Sequence, residues 1–146
     1  MYMKFKMLIL IMLSGMIVQG QNTNLTVIAN PGGAPAGLKQ AELNAIFMGE
    51  TPKWSNGSKI VLALMKTNTT TGKLTCDKVY HMSGDELTKF WLSKMIDGKV
   101  AAPTFFNTVA DLQTFVSEKP GAIGIIDMTA PIAGVRVVTV DGKKTF

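Results

Sequence analysis

Apolar and polar positions fall along the chain in short blocks, and block length and spacing separate strands from helices. Residues 25–29 form a β-favouring run that stops at Asn30, Pro31, Gly32, Gly33, Ala34 and Pro35, a stretch able neither to continue a strand nor to start a helix. From Lys39 to Met48 the apolar Leu43, Ile46 and Phe47 recur at helical spacing, and Gly49 offers a left-handed stop. Residues 51–58 read as a polar turn region holding Trp54 and Gly57, and residues 60–65 as an apolar run short enough for a buried strand. Its following loop is Lys66, Thr67, Asn68, Thr69, Thr70, Thr71 and Gly72.

Residues 73–81 are weakly helical. Ser83 then reads as a helix cap, with Glu86 three residues on, and Leu87, Phe90, Trp91 and Met95 mark an apolar face before Gly98. Thr108 and Asp111 repeat the start signal ahead of Leu112, Phe115 and Val116, and Pro120 with Gly121 ends that helix. Residues 122–126 and 135–140 are β-rich. Strand, helix, strand, helices, strand, strand predicts an α/β domain, a mixed central sheet flanked by helices.

The amino terminus changes what should be counted. Lys4 and Lys6 precede an uncharged apolar stretch over residues 7–18, followed by Gln19, Gly20 and polar residues, the pattern of a secretory signal over residues 1–20. That stretch is shorter than the roughly 20 residues a spanning helix needs. The expectation is a periplasmic or secreted protein, soluble after cleavage, whose residues 21–146 make one domain. The formal charge is +5, with two of the 15 basic residues inside the leader and the rest scattered. A nucleic-acid footprint would be a dense basic face, which this is not. A mild positive balance favours a small anion.

Catalysis finds little support. His81 is the only histidine and Cys76 the only cysteine, so no metal site, cofactor or intrachain disulfide is expected, and Cys76 reads as a core residue. No phosphate-cradling glycine loop or nucleophile–base pair is present. The threonine run before Gly72 is the most suggestive polar cluster, because hydroxyls and amides at a helix start hold oxyanions. Its plainer reading is a solvated loop capped by one threonine. Trp54 and Trp91 read as core.

Taken together, several segments resemble the phosphate ABC transporter substrate-binding proteins, periplasmic binding proteins of the second structural type. They are Leu43, Ile46, Phe47 and Gly49; Trp54, Asn56 and Gly57; Lys59 and Ile60; Met82, Ser83 and Leu87; Trp91, Gly98, Lys99 and Pro103; and Pro120, Gly121, Ala122, Ile123 and Gly124. The resemblance spans roughly residues 25–127 and implies one lobe of that fold, export to the periplasm and no enzymatic activity; the leading reading built on it is a solute-binding domain for a small oxyanion, phosphate first, with a membrane transporter as partner. Three departures stand out. The family's Ser-Gly-Thr segment is replaced by Asn68, Thr69, Thr70, Thr71 and Gly72, with Lys73 near where an arginine would stand. The chain has about half the family's length, and Ile125 stands where the family carries tyrosine. The site expected is shallow, with Asn30 and neighbouring loop residues on one side and Thr69, Thr70, Thr71, Gly72 and Lys73 on the other. The alternative function is a protein-interaction module, including a homodimer, that kept the fold and lost the ligand.

Overall fold

The computed structural model describes residues 24–98, 100–127 and 133–146, so the leader expected over residues 1–20 lies outside the described residues. Six strands form, at Thr26–Ala29 (β1), Gly37–Leu38 (β2), Val61–Met65 (β3), Thr104–Phe106 (β4), Ala122–Ile126 (β5) and Arg136–Val140 (β6). They make one mixed sheet in the order β2-β6-β1-β5-β3-β4. β3 runs parallel to both β4 and β5, whereas β1 runs antiparallel to its two neighbours, β5 and β6. The central strands β1 and β5 are buried along their whole length, which is why their sequences are almost entirely apolar, Thr26 excepted, rather than alternating.

Helices cover both faces. Gln40–Phe47 (α1), Thr70–Thr75 (α2) and Gly84–Ile96 (α3) lie on the side where Val27, Leu64, Ile123 and Ile125 meet Leu43, Phe47, Leu87 and Trp91. Val109–Glu118 (α4) covers the other side, where Leu112 and Val116 pack on Ile28, Ala63 and Ile126. Fully burying one such side chain is worth about 1.5–3 kcal/mol, so these two clusters are the main stabilising term. Both predicted caps form. Ser83 Oγ accepts the Glu86 amide at 3.1 Å, and Thr108 Oγ1 accepts the Asp111 amide at 3.2 Å.

Four features differ from the sequence reading. The short edge strands β2 and β4 were not foreseen, since two or three residues carry no periodicity. The loop over residues 66–72 is shorter than predicted, because α2 already begins at Thr70 once Thr69 caps it. The weak helix continues from α2 as a widened π turn, Cys76–Tyr80, ending at His81 with φ 52°. Met95 is 51% exposed rather than part of the apolar contact of α3, along with Leu92 at 56% and Ile96 at 77%. Trp54, Trp91 and Cys76 are buried as expected.

Candidate functional site

The turn that follows β3 is built by one threonine. Thr69 Oγ1 donates to the Lys66 carbonyl at 2.6 Å and accepts the Gly72 amide at 3.0 Å, closing the turn and starting α2 in one arrangement. The first true intrahelical bond is Lys73 N–H to the Thr69 carbonyl, at 2.9 Å. Between them, the amides of Thr70 and Thr71 are the first-turn donors that a helix cannot satisfy internally. Gly72 is required by the same geometry, since a Cβ there would run into the Lys66 carbonyl oxygen. Thr70 is exposed and Thr71 is buried, with its carbonyl accepting the Thr75 hydroxyl at 2.8 Å.

The first turn of α2 differs in charge from those of the other helices. The first turns of α1, α3 and α4 carry Glu42, Asp85 with Glu86, and Asp111, respectively, whereas that of α2 has no acidic residue. Exposed Lys66 and Lys73 flank it. The macrodipole favours negative charge at such an end. Two neighbours pack close: the Lys66 amide donates to Phe106 at 2.9 Å, fixing the turn to the end of β4, and a Cβ on Gly84 would touch Thr67, which brings the start of α3 alongside. Lys66 was not singled out from the sequence, where it is one scattered lysine among many; its position directly after an apolar strand was the available signal.

Asn30 is not part of this arrangement. β1 is separated from β3 by β5 and runs in the opposite direction, so the end of β1 meets the beginning of β3 rather than its end. The Asn30 side chain is also committed within the fold. Its Nδ2 donates to the carbonyls of Val116 at 3.0 Å and Ser117 at 3.1 Å, and its Oδ1 accepts the Gly32 amide at 2.8 Å. The sequence reading places the two loops at ends of neighbouring strands on one site; the structure puts them at opposite strand-end edges of the sheet. Asn30 instead ties β1 to the end of α4.

Around Asn30 the chain is stitched to itself. Gly121 N–H donates to Gly32 at 2.9 Å, Val61 N–H donates to Gly121 at 3.1 Å, and the Trp54 indole N–H reaches the same Gly121 carbonyl at 2.9 Å. Elsewhere, burial pushes the Tyr80 hydroxyl well above the usual phenol range, with the Trp91 indole opposing it more weakly, and that hydroxyl donates to the Phe47 carbonyl at 2.7 Å. Burial also raises the Cys76 thiol. Among the described residues no group of three or more His, Cys, Asp or Glu side chains could hold a metal ion, and no helix is long and apolar enough to cross a membrane.

No family model matches the chain, and no curated protein matches it by sequence. Its fold matches solved structures. An ABC-type phosphate transport receptor from Vibrio cholerae aligns over 86% of this chain and 53% of its own, with 16% identity and a TM-score of 0.62. PstS from Borrelia burgdorferi aligns over 82% and 47%, with 16% identity and a TM-score of 0.58. A Clostridium perfringens protein solved with bound phosphate aligns over 82% and 46%, with 15% identity and a TM-score of 0.64. The expected fold is therefore observed, a mixed sheet between helices like one lobe of a periplasmic binding protein. The chain spans about half the length of these structures.

Proposed function

We propose that the chain is an exported, non-catalytic solute-binding domain for a small oxyanion, phosphate first, that works with a membrane transporter. The observation that carries this reading is the start of α2, where the amides of Thr70 and Thr71 lie beyond the reach of intrahelical acceptors, with no acidic residue in that first turn and Lys66 and Lys73 flanking it. The fold shared with phosphate transport receptors supports it. Binding is capture without chemistry: the amides of Thr70 and Thr71 and the Thr70 hydroxyl replace part of the anion's water shell, Thr69 and Gly72 hold the turn in shape through their own hydrogen bonds, and Lys73 adds charge. A single lobe leaves one side of the anion wet, which places the dissociation constant at about micromolar to millimolar, or roughly 4–8 kcal/mol.

Isothermal titration with phosphate and then sulfate at low ionic strength tests this reading, beside Thr70→Pro. Thr70 is the first helical residue, where proline is tolerated but removes one amide, and Thr69 has the extended conformation proline requires of its predecessor. Losing a hydrogen bond to a charged group costs about 1.5–3 kcal/mol, so affinity should fall at least tenfold with the fold unchanged. The Thr70→Ala, Thr71→Ala double variant separates hydroxyl from amide contributions. Absence of heat up to millimolar anion with folded protein overturns the reading.

A second reading, a partner-binding module or homodimer without ligand, is favoured by one observation. Leu92, Met95 and Ile96 are exposed together on α3 at helical spacing. Sedimentation of the wild type and Ile96→Lys decides whether that strip joins two copies.

A further inference from the structure

The hairpin between α1 and β3 holds two lysines in a position that sequence spacing does not reveal. Lys53 and Lys59 form an isolated antiparallel pair. The bonds on either side, Trp54 N–H to Ser58 at 2.9 Å and Ile60 N–H to Pro52 at 3.0 Å, identify it as a non-hydrogen-bonded pair. In such a pair both side chains leave the same face, with Cβ atoms about 4.5–5.5 Å apart, and like charges directly opposite destabilise the ladder. Neither ammonium has a carboxylate or carbonyl partner among the described residues. The hairpin cannot relax easily, because the Trp54 indole is bonded to the Gly121 carbonyl and Asn56 closes the turn onto the Ser58 amide at 3.0 Å.

Both lysines line one cavity of about 500 Å³ whose walls include Ile46, Ile60, Leu62 and Val100, and among the described residues no aspartate or glutamate lines it. That volume is in the range of small-molecule sites, which combine apolar walls with a few placed polar groups. A cavity with this patch of apolar wall and two uncompensated positive charges on one side suits a molecule with an apolar body and an anionic head. We propose that this cavity binds a small organic anion, a carboxylate carrying a short hydrophobic tail, clamped between Lys53 and Lys59. The cavity flanks the beginning of β3 and the threonine turn its end, so this site is separate from the one proposed for inorganic oxyanions and stands or falls without it.

The test is a titration of the ¹⁵N-labelled protein with octanoate, followed by amide shifts. Saturable shifts are expected at Thr51, Lys53, Lys59, Ile60 and Val100, and affinity should fall at least tenfold in the Lys53→Gln, Lys59→Gln double variant. Both side chains are exposed, so the variant should keep the wild-type spectrum elsewhere. Thr70→Pro should bind octanoate as the wild type does. Octanol and inorganic phosphate should leave these amides unmoved. Lack of saturable shifts, equal affinity in the double variant, or equal binding of octanol would overturn the proposal. So would lysine-dependent binding of an acidic peptide carrying one leucine in the absence of octanoate binding, which would make the hairpin a protein-docking site.

Discussion

The two strand-end edges of the sheet, at the beginning and at the end of β3, use the same kinds of groups in opposite ways. At the beginning of β3, Asn30, Gly32, Val61, Trp54 and Gly121 satisfy one another, and each polar atom named there has a partner within the chain. At the end of β3, Thr69 satisfies only part of the turn, and the next two amides are left to solvent or ligand. A buried network of the first kind rigidifies a fold, because any unpaired member is costly. An edge of the second kind holds donors in place without giving them an acceptor inside the helix. The contrast shows that polar density alone does not mark a site; what matters is which polar groups the fold has already used.

The sharpest way to break that contrast is to disturb the pivot of each edge. Gly121 has φ 82°, and a Cβ there would run into the Lys59 carbonyl, so Gly121→Ala should lose about 3 kcal/mol or more in urea unfolding. Gly72→Ala should lose a comparable amount through its collision with Lys66, and a loss below about 1 kcal/mol would mean that the start of α2 is not held where it is described. Next comes Asn30→Ala, which removes a buried side chain with three hydrogen bonds and should cost about 2–3 kcal/mol while leaving phosphate affinity unchanged. A matching loss of phosphate affinity would reunite the two edges into one site. The smallest effect belongs to Thr69→Ala, about 1 kcal/mol for a lost cap, with phosphate affinity reduced as the turn loosens, and Thr69→Ser restoring both.

Much of this architecture was legible in the residues. The continuous apolar runs of β3 and β5, the spacing of Leu43, Ile46 and Phe47, and the hydroxyl caps at Ser83 and Thr108 are local signals, and each element formed where they pointed. The threonine run was recognised as a helix start for the same local reason. Direction and adjacency of strands are not local. Nothing within residues 25–33 states that β5 inserts between β1 and β3, and a loop that merely follows a strand does not show which strand end Asn30 shares. The facing of Lys53 and Lys59 had a trace in the sequence, because Asn56-Gly57 is a hairpin signal, but only the closed hairpin puts the two charges opposite each other.

Cys76 sits at the junction where α2 gives way to the π turn, buried, with its thiol kept protonated beyond the ordinary range. Disulfide reagents react with thiolate, and a shielded thiol must first reach solvent, so the rate of labelling counts how often this junction swings open. The chain thus carries its own timer beside the helix whose first turn presents the amides proposed to hold an anion. An ion that steadies that first turn would slow the timer, and occupancy could be read as a reaction half-life in unmodified protein.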